Sequence, residues 1–107
     1  MNELECTPAQ VRDELQSEAP PRLVDVREAS EWDLVHLEGG RLLDQALLDV
    51  MLRDWNKDEQ IICYCHHGVR SVQAALYLRQ QGFSSVRSMK GGIDAWAREI
   101  DPSLPRY

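Results

Sequence analysis

No apolar run in this 107-residue sequence approaches the roughly 20 residues that a membrane-spanning helix needs. The first residues, Met1-Asn2-Glu3-Leu4-Glu5, lack the positive start and apolar centre of a secretory signal. Positive charge is scarce: 12 Lys and Arg stand against 18 Asp and Glu, a formal charge of −6. Nucleic acid and anionic membrane surfaces need a basic face, so neither is expected as a partner. Cysteine is also sparse, and the three present (Cys6, Cys63, Cys65) have no spacing that suggests a disulfide framework. A reducing, cytoplasmic setting follows as the expectation. Repeats, low-complexity stretches and linker-like segments are missing too, so residues 1–107 read as one domain. The sequence is 43% hydrophobic, which is enough for a modest core without covalent staples.

What is present alternates between two periodicities. Thr7-Pro8-Ala9-Gln10 reads as a capped helix start, with Thr7 and Gln10 forming a capping box and Pro8 in the first turn. Val11 and Leu15 share a face of that helix, which ends before Pro20. Arg22 to Val26 is a short apolar strand. Ser30 and Asp33 open a helix carrying Trp32 and Val35, and a further helix lies around Ala46 to Leu52. Gln60-Ile61-Ile62-Cys63-Tyr64 is apolar on both faces, as a central strand of a parallel sheet must be. Val69 to Gln81 reads as a helix, with Gly82 where a left-handed cap is needed. Ser84 to Met89 is a last strand, and Gly91-Gly92 turns the chain into a helix over Ile93 to Glu99. The alternation predicts an α/β sandwich with a mainly parallel sheet. Ligands in such sheets sit beyond the carboxyl ends of the strands. The segment after Tyr64 lies there.

That segment is Cys65-His66-His67-Gly68-Val69-Arg70-Ser71. A cysteine between a strand end and a helix start faces the positive end of the helix dipole, which favours thiolate over thiol. Free cysteine has a pKa of about 8.5, and such surroundings lower it toward neutrality. Gly68 allows the backbone to curl so that successive N–H groups point inward as a nest for an anion. Arg70 adds a planar cationic fork suited to sulfonate, phosphate or persulfide. Buried cysteines are more commonly inert packing residues, and Cys-x4-Arg alone is a weak signal. Strand end, glycine, arginine and helix start together favour the nucleophile.

Three segments then resemble the signatures of a rhodanese domain: Leu23-Val24-Asp25-Val26-Arg27-Glu28, the loop Cys65 to Arg70, and Met89-Lys90-Gly91-Gly92-Ile93-Asp94-Ala95-Trp96. The resemblance covers nearly the whole chain and fits a stand-alone domain. It implies a three-layer α/β sandwich in which helices flank a mainly parallel five-stranded sheet. It also implies sulfurtransfer through a persulfide on Cys65. The loop residues His66, His67, Gly68, Val69 and Arg70 are in turn expected to bind the substrate, chiefly through their backbone amides. One departure is local. Many members carry a glycine before the histidine of the segment that follows the acidic helix, whereas this chain has Val35-His36-Leu37-Glu38-Gly39-Gly40.

Related phosphatases use Cys-x5-Arg, and the loop here is one residue shorter, which favours a single sulfur over a tetrahedral phosphate. Thiosulfate or a persulfide is the expected donor, and cyanide or a thiol, small or on a thioredoxin-like protein, the acceptor. A catalytically idle binding module and a phosphatase or arsenate reductase are the alternatives. No cofactor is expected. No metal is expected either, since Cys63 and Cys65 lack zinc-ligand spacing and adjacent histidines rarely converge on one ion. Cys63 reads as core and Cys6 as a partly exposed thiol. Asp25 and Arg27 read as a structural ion pair, Trp32, Trp55 and Trp96 as packing residues. Ser71 either reaches into the ring or merely fills the helix's first turn. A small charged domain is expected to be monomeric.

Overall fold

The computed structural model describes residues 3–107, so Met1 and Asn2 of the acidic start lie outside the described residues. The chain runs β1 (Glu5–Cys6), α1 (Pro8–Leu15), β2 (Arg22–Asp25), α2 (Ala29–Leu34), β3 (Arg41–Leu42), α3 (Gln45–Asp54), β4 (Ile61–Tyr64), α4 (Val69–Gln80), β5 (Val86–Met89) and α5 (Gly92–Glu99). The strands form one five-stranded sheet in the order β1-β5-β4-β2-β3. Every pairing is parallel. No helix among the described residues is long and apolar enough to cross a membrane.

The helix starts follow from side chains that replace missing backbone partners. Thr7 Oγ1 accepts from the Gln10 amide at 3.1 Å, and Gln10 Oε1 accepts from the Thr7 amide at 2.8 Å, closing the expected capping box. α3 starts at Gln45 because Asp44 Oδ1 accepts from the Leu47 amide at 2.8 Å. α2 departs from the Ser30–Asp33 expectation. It is capped at Glu28, whose amide donates to Glu31 Oε1 at 3.1 Å, so the helix begins at Ala29. Val35 falls just past its end with φ −163° and ψ 142°, extended backbone that any residue adopts. The glycine absent before His36 is therefore not required. Gly82, with φ +103°, takes the left-handed turn after α4.

β4 explains the layering. Ile62 and Tyr64 point into a cluster with Val11, Leu23, Met89 and Ile93, beneath α1 and α5. Ile61 and Cys63 point into a second cluster with Leu47, Met51, Ala75 and Leu78, beneath α3 and α4. Alternate side chains thus serve opposite faces, and both faces are covered. From β4 the chain crosses to β5 on one side, whereas β2 leads to β3 on the other. The strand order therefore reverses between β4 and β2, and the crevice beyond their carboxyl ends is where a ligand is favoured.

The two edge strands were invisible to periodicity, being two residues each. β1 overturns the expectation for Cys6. Its pairing of Cys6 with Met89 carries the thiol into the first cluster, where it is buried and its sulfur lies 3.6 Å from the Ser88 carbonyl. Cys63 is wholly buried in the second cluster. Burial pushes the Cys6 thiol up to about 11, partly offset by Arg87, and the Cys63 thiol up to about 12. An unfolded chain releases these protons near pH 9, the ordinary value, while the folded chain retains them. Their contribution to stability is complete below that pH and is lost as pH rises through about 11 to 12. Denaturant midpoints are expected to fall between about pH 8 and pH 10.5, with a shallower fall in Cys63→Ala. Identical slopes in the two proteins would contradict this.

Candidate active site

The crevice between β4 and β2 is closed by the loop from Cys65 to Gly68, followed at once by α4. Gly68 caps that helix with φ +98° and ψ 0°, a left-handed conformation that turns its N–H back toward the strand end. The Gly68 amide donates to Cys65 Sγ at 3.0 Å, and the Ser71 amide lies 3.4 Å from the same atom. Ser71 Oγ is 3.3 Å from Sγ and 2.7 Å from Ser88 Oγ. With a thiolate, which only accepts, this becomes a one-way relay in which Ser88 donates to Ser71 and Ser71 donates to sulfur. Ser71 thus reaches the ring. Cys65 is 1% exposed, and both serines are fully buried. The sulfur sits at the amino end of the twelve-residue α4, where the dipole adds to these donors.

A second glycine step holds the loop from behind. The Ile93 and Asp94 amides at the start of α5 donate to the carbonyls of Cys65 (2.8 Å) and His66 (3.1 Å). Loop carbonyls thus point at α5, which leaves loop amides free to point at sulfur. This approach works only because Gly92 has no side chain. A Cβ there would lie 2.4 Å from both the Cys65 and His66 carbonyl oxygens, and φ is +63°. Gly68 is similarly crowded, since its Cβ would stand 3.0 Å from the Gly91 nitrogen.

The remaining candidates lie around the ring in different ways. Val69 is 70% exposed at the first turn of α4. His67 points outward, its Nε2 4.0 Å from Asp94 Oδ2. The His66 ring stacks on Tyr107 at 3.9 Å, and its Nε2 is buried with no hydrogen-bond partner among the described residues. Arg70 does not donate to the sulfur. Its guanidinium makes a bidentate pair with Glu31, at 2.7 and 3.0 Å. Asp25 and Arg27 form a fully buried pair at 2.6 Å, and Arg27 also donates to the Val35 carbonyl at 2.6 Å, binding β2 to the end of α2. Trp96 packs against the first cluster and Trp55 against the second, while Trp32 stacks on His36.

Adjacent histidines do converge here, against expectation: His66, His67 and Asp94 bring ligand atoms within 4.8 Å of one another. Asp94, however, is paired with Arg98 at 3.2 Å and Arg106 at 3.0 Å, two fixed cations that compete with any metal for its charge. Sequence reading missed Ser88, Glu31 and Tyr107. Ser88 had one signal, a polar residue inside an apolar strand. Glu31 and Tyr107 gave no sign of a place at the site, since the contacts that put them there, Glu31 with Arg70 and Tyr107 with Glu31, join positions 39 and 76 apart in the chain.

Residues 7–99 match the family profile described as a rhodanese-like domain. The chain belongs to this family. The rhodanese-like chain is 37% identical over 103 residues, 94% of its length, to a Mycobacterium tuberculosis protein named probable adenylyltransferase/sulfurtransferase MoeZ. It spans about a quarter of the length of that relative, the matched part being 26%. A rhodanese-like domain protein from Staphylococcus aureus superposes with TM-score 0.78 at 26% identity, covering 98% of this chain and 99% of its own. The human single-domain sulfurtransferase TSTD1 shares the fold, with TM-score 0.79 at 20% identity over 92% of this chain and 98% of its own.

Gly92→Ala is expected to destabilise this rhodanese-like domain by about 2 kcal/mol or more, since backbone oxygens cannot move aside as a side chain can. Chemical denaturation measures it. A loss under about 0.5 kcal/mol would mean that the loop does not need α5 so close.

Proposed function

We propose that the chain is a sulfurtransferase that carries a sulfane sulfur on Cys65. The observation that carries this reading is the Gly68 amide 3.0 Å from Sγ, joined by the Ser71 amide and hydroxyl. These are preset donors around an atom that must hold negative charge twice, as the thiolate that attacks the donor and as the thiolate released when the acceptor takes the outer sulfur. The Cys65 thiolate attacks the outer sulfur of thiosulfate. An S–S bond forms, the donor's S–S bond breaks, and sulfite leaves with the electron pair. A persulfide donor reacts in the same way and releases a thiol. In the second half, cyanide or a thiol takes the terminal sulfur and the electrons of the Cys65 S–S bond return to Sγ. Cyanide gives thiocyanate. A thiol, small or on a thioredoxin-like protein, gives its own persulfide.

No proton need be supplied in the thiosulfate half-reaction. The sulfurtransferase names of the M. tuberculosis relative and of the human structural neighbour support the reaction class. The loop supports sulfur over phosphate. Cys65-x4-Arg70 is one residue short of the phosphatase ring, and its arginine is paired to Glu31 rather than turned inward for an equatorial oxygen. An idle binding module would have no use for three donors on one buried sulfur. The domain acts in this reading as a monomer in the cytoplasm, without metal or cofactor.

Incubation with thiosulfate followed by mass spectrometry of the intact chain and its peptides is expected to locate one added sulfur on Cys65. Cys65→Ser should lose at least about a thousandfold in thiocyanate formation. Turnover by that variant at the rate of the unaltered chain would refute the reading. Ser71→Ala removes a donor to a charged acceptor and is expected to lower kcat/KM about ten- to a hundredfold. The loss should be carried by kcat, because the hydroxyl contacts the reacting sulfur rather than the far end of the donor.

A further inference from the structure

The loop's cation is not free to meet an anionic donor. Glu31 accepts from Arg70 Nη1 at 2.7 Å and Nη2 at 3.0 Å, a fork-to-fork pair that occupies both terminal nitrogens. The carboxylate is held in place from two other sides. The Glu28 amide donates to Oε1 at 3.1 Å and the Tyr107 hydroxyl donates to Oε2 at 2.7 Å. Tyr107 is itself fixed: its oxygen accepts from Arg27 Nη1 at 2.7 Å, and its ring lies on His66 at 3.9 Å with an 8° tilt. Behind it, Arg106 is anchored on Asp94 at 3.0 Å and Leu104 packs against the first core cluster. Glu31 is only 18% exposed as a side chain, and these donors, Arg70 foremost, hold its carboxyl well below the usual range. Arg27, the other nearby cation, is already neutralised by Asp25. The guanidiniums of Arg70 and Arg27 are therefore each held by a carboxylate.

We propose that Glu31, braced by Tyr107, is a specificity-determining residue that cancels the charge of Arg70 and makes the site discriminate against highly charged donors. The inference rests on the sulfurtransferase reading. Thiosulfate carries two charges and must either displace Glu31 from Arg70 or enter beside a fixed negative charge. A donor with one charge meets a smaller penalty, and a protein-bound or organic persulfide is of this kind. Glu31 touches no reacting atom, so it acts as a positioning residue through Arg70.

Two donors with the same chemistry and different charge separate this from a structural role. Thiosulfate, a dianion, yields the persulfide and sulfite; benzenethiosulfonate, a monoanion, yields the persulfide and benzenesulfinate. Cyanide regenerates Cys65 in both cases, giving thiocyanate. In Glu31→Gln, kcat/KM for thiosulfate divided by that for benzenethiosulfonate is expected to rise about three- to tenfold, through KM. The rise should shrink at about 0.5 M salt, where screening shortens the reach of charge. Tyr107→Phe keeps the carboxylate and the ring but removes the brace, and should move the ratio in the same direction by about twofold. It also decides the question if Glu31→Gln does not fold. A ratio unchanged in the variants, with both donors falling in parallel, would overturn the proposal and leave Glu31 a prop for the loop. Absence of transfer from either donor to the unaltered chain would instead refute the sulfurtransferase reading beneath it.

Discussion

An ionisable sulfur taken out of water must find other dipoles to replace the solvent, or it will stay a thiol. Cys65, at 1% exposure, is under that constraint, and much of the surrounding architecture answers it. Cys63, in the strand just before it, has no such dipoles. Packed among aliphatic groups without donors, it is pushed up to about 12 and remains inert. Two positions separate the residues, yet one faces a core cluster and the other lies past the strand end, where loop and helix amides converge. What separates the two surroundings is the number of N–H groups that reach the sulfur.

Supplying those groups has structural consequences at a distance. Amides of the loop can face sulfur only if the carbonyls face elsewhere, and α5 receives them through the Ile93 and Asp94 amides. Gly92 is the point of contact that makes this possible, so the family's glycine pair and its cysteine loop are two halves of one device. The buried Asp25–Arg27 pair belongs to the remaining signature, Leu23 to Glu28. It ties the end of β2 to the Val35 carbonyl and to Tyr107, so the rim opposite the loop is fixed as well. A pair this deeply buried gains little net stability from its charges, but removing one partner would strand the other.

Much of this was readable beforehand where the physics is local. The Thr7–Gln10 capping box, the doubly apolar strand Ile61–Tyr64 and the left-handed Gly82 each depend on residues within one turn or strand. The ring could be placed because a strand, a glycine and a helix start follow one another in the sequence. What escaped depends on contacts between distant segments. β1 and β3 exist only as partners of β5 and β2, and burial of Cys6 came with them. The cap of α2 is Glu28 because the Glu31 carboxylate reaches back to its amide while also holding Arg70. Arg70 itself was identified as a residue of the loop, yet the direction of its guanidinium was set by a carboxylate 39 residues away and a tyrosine at 107.

The most direct measurement is a crystal structure of the chain after exposure to thiosulfate without an acceptor. The account predicts one additional sulfur bonded to Cys65 Sγ, within hydrogen-bonding reach of the loop amides, with Gly68 and Ser71 where they now stand. An unmodified Cys65, or sulfur found on Cys6 or Cys63 instead, would contradict it.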